Sequence, residues 1–306
     1  MTKLTLTRRG LLISGVATGV LMGTGLPSMA ETPPGVLVVG QIAEPKALDP
    51  AAVTAVNDFR ILMNLYDGLV RYKSGTLEVE PALAKSWDIS EDGKTYTFHL
   101  REGVKFHDGS DFDAEAVKFN FERMLDDKHP YHDTGPFPLA FFFSSVDTID
   151  VKDPQTVVFT LKEPYAPFLS NLAYPTGLIV SPTAVMKFDK DFGRNPVGTG
   201  PFTFKEWRPN EAVVVEGNPD YWDTPTTLKA VIFRPITDAN TRVAEMLAGG
   251  IDLMVEVPPV ALKEFENNSY HLVEQAGPHL WFLILDCAKG PFKDKRNSAE
   301  HTLIQT

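Results

Sequence analysis

The chain has one cysteine, Cys287, in 306 residues. A disulfide framework and a multi-cysteine metal site are therefore both excluded. Basic residues are in deficit: 29 Lys and Arg stand against 40 Asp and Glu, for a formal net charge of −11. That balance argues against a nucleic-acid partner, which calls for a basic patch, and keeps the chain apart from anionic surfaces. No Gly-x-Ser-x-Gly elbow and no His-Glu-x-x-His pair is present, so a secreted hydrolase has no visible machinery. The carboxylate pairs Glu91-Asp92 and Asp126-Asp127 read as turn and surface charge. No repeat with a period of twenty to fifty residues runs along the chain, which removes a solenoid.

What is present suits one large or two medium cores: 43% of residues are hydrophobic and 23% charged. The 24 prolines and 22 glycines are spread out, punctuating many short elements. The most informative stretch is Pro81 to Gly109. Trp87 and Ile89 share one face of a short alternating run; Tyr96, Phe98 and Leu100 share one face of a second. Glu91-Asp92-Gly93-Lys94 between them predicts a hairpin, because Gly supplies the positive φ a tight turn needs. Val104 and Phe106 predict a third strand, completing a small meander that ends at Asp108-Gly109.

The N-terminus reads as an export signal. Thr7-Arg8-Arg9-Gly10-Leu11-Leu12 leads an uncharged stretch to Pro27, too short and too rich in Gly and Thr to span a bilayer. Ser28-Met29-Ala30 then forms a small-x-Ala cleavage pattern before Glu31. The paired arginines suggest the twin-arginine route; with Lys3 they would serve the general route equally well.

Further along, Val36 to Ile42 predicts a buried strand, and Phe59 to Leu69 a helix closed near Gly68. Asp113 is placed to cap a helix to about Asp126, with Ala114, Val117, Phe121, Met124 and Leu125 in one stripe. A second hairpin puts Val146 and Thr148 on one face and Ile149 and Val151 on the other. It turns at Asp153-Pro154 and returns through Val157, Phe159 and Leu161. Leu178-Ile179-Val180 reads as a brief buried strand ahead of a helix begun by Pro182. Pro196 to Phe202 is glycine-rich but lacks the Gly-Lys-Ser/Thr ending of a phosphate loop, so it reads as a tight turn feeding a strand. Asp238 caps a helix with Val243, Met246 and Leu247 inward, and the strand–helix–strand pattern there implies an α/β layer. His129 and His132 with Asp133 could ligate a metal. Two histidines and one carboxylate on a loop rarely make a selective site, so an ordinary solvated loop is expected.

The stretch PALAKSWDISEDGKTYTFHLREGVKFHDG resembles the signature of solute-binding protein family 5, the extracellular components of peptide, opine and nickel ABC importers. LYDGLVRY, VGTGPF and NPDYW are similar to fragments of the same family. The resemblance implies an α/β fold of the periplasmic-binding-protein type (type II clamshell) with an inserted β-rich subdomain. The expected division is a signal peptide over 1–30 and lobe I over 31–58 and 176–270. Its β-rich insertion covers 59–175, and the start of lobe II covers 271–306. It implies ligand contacts at Glu44, in the Leu-Asp-Pro loop; at Tyr131, in the loop after the capped helix; and at Asp286, past the strands that cross between lobes. A surface Glu beside a proline turn is the plainer reading of Glu44. Pro291 to Arg296 still resembles the family, and the likeness stops at Asn297, so the chain is expected to be the N-terminal portion, cut near Arg296 with the second lobe largely missing.

The implied role is periplasmic: a receptor for a peptide or small molecule, delivering to an ABC permease in the inner membrane. Neither cofactor nor enzymatic activity is expected, and a monomer is. A metal or haem carrier of the same family stays open, given the four histidines between His99 and His132.

Overall fold

The computed structural model describes residues 32–266 and 270–274. In chain order the elements are β1 (Val36–Gln41), α1 (Val56–Leu65), β2 (Val70–Tyr72), β3 (Val79–Pro81), β4 (Ala84–Ile89) and β5 (Thr95–Leu100). Then come α2 (Ala114–Leu125), β6 (Val146–Asp153), β7 (Thr156–Leu161), α3 (Phe168–Ala173) and α4 (Pro182–Phe188). The last are β8 (Phe202–Arg208), β9 (Ala212–Gly217), β10 (Ala230–Pro235), α5 (Ala239–Leu247), β11 (Leu253–Met254) and α6 (Leu262–Glu266).

Two main sheets organise them. A mixed sheet runs β11-β1-β10-β9-β8, with β1 parallel to both β10 and β11 and the rest antiparallel. A four-stranded antiparallel sheet runs β4-β5-β7-β6. Val39, Val231, Phe233, Val213 and Val215 of the mixed sheet bury against Phe59, Ile61, Leu62 and Leu65 of α1. The expected boundary at residue 59 thus falls inside α1, whose apolar face belongs to the mixed sheet's core. The antiparallel sheet packs Tyr96, Phe98, Val157, Phe159 and Leu161 onto α2, α3 and the 140–143 turn. Aromatic edges dominate there: Phe121 meets Phe143 and Phe159 with ring centroids 5.0 Å apart in both cases, and Tyr96 meets Phe168 at 4.8 Å. Each such pair adds about 0.5–1.5 kcal/mol to the burial itself.

Local sequence rules hold where the signal is local. β4 and β5 form the expected hairpin, with Gly93 at φ 69° in its turn. Asp113 accepts from the Ala116 N–H and Asp238 from the Thr241 N–H, each capping its helix as read.

The departures have identifiable causes. α1 stops at Leu65, where Tyr66 takes extended backbone, so Tyr66 to Leu69 lie outside the helix. Val104 and Phe106 are buried, but they sit in a small loop closed by Phe106 N–H to Ser110 O and Phe112 N–H to Val104 O. The third strand of that sheet is β7, paired to β5 from Thr95↔Thr160 to His99↔Thr156. In β6 a register shift between Val146 and Thr148 breaks the alternation, so Val146, Ile149 and Val151 all reach the core while Thr148 is exposed. Leu178 to Val180 form no strand. The Asn120 side chain takes both the Val180 N–H and C=O at 2.9 and 2.8 Å, in place of a strand partner. Ile89 and Leu247, expected inward, are 47% and 43% exposed.

Candidate functional site

Three strands of the mixed sheet, β1, β10 and β11, run in one direction and end at one edge. In open α/β sheets, ligands bind outside the carboxyl ends of such strands. At this edge lie Gln41, closing β1; the loop 42–55; and Glu256, two residues past β11. Gln41 is 1% exposed, and its Nε2 donates to Asn57 O at 3.3 Å in the first turn of α1. Asn57 Nδ2 donates to Glu44 O at 3.3 Å and to Asp58 Oδ1 at 3.1 Å. Asp58 Oδ1 also accepts the Lys46 N–H at 3.0 Å. Burial pushes the Asp58 carboxyl above the usual carboxylate range, against the pull of the Lys46 and Ala55 backbone bonds. One turn on, Arg60 Nη2 reaches Glu256 Oε1 at 2.9 Å.

Glu44 sits on this edge, half-buried, with its carboxylate engaged by the fold. One oxygen accepts Trp207 Nε1–H at 2.7 Å and the Asn210 N–H at 3.0 Å, fastening the loop after β1 to the β8–β9 turn. The Arg194 guanidinium stacks 3.4 Å from the Trp207 ring centroid. Tyr131 is half-buried against Phe119 and His129, and its carbonyl accepts from Thr134 Oγ1 at 2.8 Å. Glu44 and Tyr131 share no partner among the described residues, but a buried ion pair links their loops. Arg123 grips Asp49 in a two-point contact at 2.9 and 3.1 Å, both side chains at most 2% exposed, and Nη1 also donates to Thr134 Oγ1 at 3.2 Å. Asp286 lies outside the described residues, as do the strands expected after Tyr270 in 275–306.

In the histidine loop, one ring nitrogen of each histidine is engaged by the backbone. His132 Nδ1 lies 3.0 Å from Arg123 O, and His129 Nδ1 accepts the Tyr131 N–H at 3.2 Å. Among the described residues no group of three or more His, Cys, Asp and Glu is placed to hold a metal ion.

A second polar cluster lies between the two sheets. Asp67, 9% exposed, accepts from Tyr221 Oη at 2.9 Å on one oxygen, and from Thr199 Oγ1 and Trp222 Nε1 at 2.8 Å on the other. Burial raises the Asp67 carboxyl, and its three donors pull it back. Burial likewise drives the Tyr221 hydroxyl well above its ordinary value, with the Asp67 charge adding to it. His107 Nδ1 accepts the Gly198 N–H at 3.3 Å and Nε2 lies 3.0 Å from Gly200 O, which requires the neutral Nε2–H tautomer. Gly198 and Gly200 run against the end of α1. A Cβ on either would fall 2.2 Å from Leu65 O or 2.5 Å from Leu65 C. The glycines of VGTGPF therefore serve close backbone approach, as the turn reading requires, and LYDG, VGTGPF and NPDYW meet at Asp67 as one knot. Sequence reasoning missed this meeting, and missed Arg60, Gln41 and Glu256. The only available hint was an arginine in the first helix after a strand end, beside Asn57 and Asp58.

Known proteins resemble this chain in sequence and in fold. Di/tripeptide-binding protein 1 of Pseudomonas aeruginosa (strain UCBPP-PA14) is 35% identical over 268 residues, 81% of this chain and 50% of the relative. Heme-binding protein A of Haemophilus influenzae (strain ATCC 51907 / DSM 11121 / KW20 / Rd) is 36% identical over 246 residues, 74% of this chain and 45% of the relative. The solved structure of the ABC transporter-associated periplasmic binding protein DppA from Helicobacter pylori, in complex with peptide STSA, matches with a TM-score of 0.72 at 36% identity. That match covers 76% of this chain and 49% of the other. The chain spans about half the length of the curated relatives it matches, and over that part its fold is the type II periplasmic-binding-protein fold. The profile of the bacterial extracellular solute-binding proteins, family 5 Middle, covers residues 78–297, and the chain belongs to that family.

Proposed function

We propose that the chain is the solute-holding component of an ABC importer, binding a peptide or similar small molecule and passing it to a membrane permease. Family 5 solute-binding proteins are transport binding proteins. The observation that carries this reading is the strand-end edge. It gathers Gln41, Asn57, Arg60 and Glu256, hydrogen-bonding and charged groups suited to holding a polar ligand, with no serine or cysteine nucleophile among them. Hinge closure of two lobes around the solute is the mechanism this supports, and it needs no covalent step. In this reading residues 1–30 are an export signal, cut after Ala30 and carrying the twin-arginine pair Arg8-Arg9, and the mature chain works in the periplasm as a monomer. Among the described residues no helix is long and apolar enough to cross a membrane. Lobe I is then built around the mixed sheet, from residue 31 through the whole of α1 and again over 176–270, with the β-rich insertion beginning after α1 and running to 175, and 271–306 opening lobe II. In this reading Glu44 steadies the loop at the binding edge through Trp207 and Asn210, and Tyr131 is a ligand contact from the loop after α2.

The test is titration calorimetry of the 306-residue chain with a di- and tripeptide panel, nickel and haem. Saturable heat from peptides is expected. Tight nickel or haem binding with a silent peptide panel would overturn the assignment.

A further inference from the structure

Among the described residues, six buried side-chain nitrogen and oxygen atoms have no protein partner: Gln41 Oε1, Asp58 Oδ2, Arg60 Nη1, Arg123 Nε, Ser145 Oγ and Arg242 Nε. Three of the six, from Gln41, Asp58 and Arg60, gather where β1 ends and α1 begins; the other three are scattered. Native structures pair nearly all such groups, so a local concentration of orphans marks a place that expects a visitor. Gln41 and Asp58 are 1% and 0% exposed, so bulk water does not serve their free oxygens.

The chemistry of the three is complementary to one ligand class. A guanidinium presents two parallel N–H groups that match a carboxylate. Glu256 fills only one of them, through Nη2, and Nη1 is free. Glu256 itself holds φ at 55°, a region that side-chain-bearing residues avoid and that recurs at ligand clamps. Its side chain is 49% exposed, so release into water costs little. Gln41, tied through Asn57 O to the turn before Arg60, keeps a free amide oxygen ready for an N–H.

We propose that Arg60 anchors the carboxylate of the bound solute in a two-point contact, displacing Glu256, while Gln41 Oε1 accepts an N–H from the same molecule. The class of ligand is an N-acylated amino acid or short peptide with a free carboxyl end. Its identity as cargo rests on the import reading above; the carboxylate site itself does not. Asp58 Oδ1 is taken by the Lys46 N–H and Asn57 Nδ2, so Glu256 is the carboxylate that the solute has to displace from the Arg60 guanidinium.

The experiment uses the full chain labelled with [15N]arginine. N-acetylglycine and N-acetylglycinamide are titrated while the Arg60 side-chain signal is followed, that signal being assigned by its loss in Arg60→Gln. Calorimetry with alanyl-leucine and its carboxamide runs in parallel. The acid is expected to shift Arg60 and the amide to leave it still. Arg60→Gln should weaken alanyl-leucine about 10- to 100-fold and close the gap between acid and amide. Arg60→Lys should recover only part of that, and Glu256→Gln should tighten binding by about several-fold, since the internal competitor is gone. If peptides bind and Arg60 does not move, the anchor is wrong and the import reading stands. If N-acetylglycine moves Arg60 and no peptide binds, the anchor stands and the peptide cargo falls. If neither acid moves the Arg60 signal, assigned by its loss in Arg60→Lys should Arg60→Gln not fold, the proposal is overturned.

Discussion

The knot at Asp67 and the edge at Arg60 are both polar clusters beside the same helix, one past its end and the other near its start. They differ in satisfaction. Both oxygens of Asp67 and both ring nitrogens of His107 have partners. At the edge, Gln41, Asp58 and Arg60 each keep one buried atom unpaired. A filled network rigidifies a fold, whereas an unfilled one costs stability and persists where a ligand completes it. The knot therefore reads as structure and the edge as function, although a motif search points the other way, toward the three recognisable fragments.

Breaking the knot gives the largest expected effects. Asp67→Ala strands three donors from Thr199, Tyr221 and Trp222, at about 1–3 kcal/mol for each one left buried and unpaired. The urea midpoint should fall by the equivalent of about 3 kcal/mol or more with the m-value unchanged. Gly200→Ala should be as severe, because its Cβ meets backbone at Asn64, Leu65 and Tyr66, which cannot swing aside as a side chain would. If either variant unfolds like the wild type, the knot is not what joins the two sheets.

Those contacts also mark how far the sequence could be read. The β4–β5 hairpin, the Asp113 and Asp238 caps and the β8–β9 return rest on neighbours a few residues apart, and each is visible as a local pattern. The pairing of β5 with β7 joins residues some sixty positions apart, and the bulge in β6 overrides the alternation that the text of the chain suggests. Asp67 meets Thr199 across 132 residues and Trp222 across 155. Nothing in the spacing of those residues encodes the meeting; only the similarity of each fragment to family members pointed at them. The resemblance alone singled out Glu44; its bond to Trp207 spans 163 residues, and no local pattern in the sequence announces it. The Arg60 edge was invisible because an arginine on a helix is ordinarily a solvated one.

His107 ties the stability of the knot to pH. Burial holds its imidazole below the usual 6.5, with the Gly200 bond and the Asp67 and Asp108 charges pulling the other way. Asp108 lies below the ordinary carboxylate value: burial raises it, but bonds from Ser110 and Ser181 outweigh that. With the imidazole depressed, the unfolded chain takes up a proton from about pH 6.5 downward before the folded one does, so the contribution is intact above that pH and is lost as pH falls. Asp67 and Asp58, raised by burial, work in the opposite sense: folding gains from protonation as pH drops toward their own range. His107→Gln should lower stability at pH 7.5 by about 1–2 kcal/mol, for the Gly198 N–H left unpaired. It should also flatten the decline between pH 7 and 5 followed by urea titration. An unchanged slope would mean that His107 does not titrate with folding.

The smallest effect is the sharpest test of the comparison. Gln41→Met keeps the volume, removes the orphaned Oε1 and gives up one long bond, Nε2 to Asn57 O at 3.3 Å. Losing a weak hydrogen bond and losing an unpaired buried acceptor are opposing terms of similar size, so stability should change by less than about 1 kcal/mol. A satisfied network cannot absorb such a replacement: the same logic applied to Asp67 predicts a loss several times larger. If Gln41→Met instead destabilises as Asp67→Ala does, the edge is a structural network like the knot, and its free atoms are not reserved for a ligand. If the variant is neutral in stability yet binds alanyl-leucine several-fold more weakly, the free oxygen is there for the solute, and the contrast between filled and unfilled clusters separates fold from function in this chain.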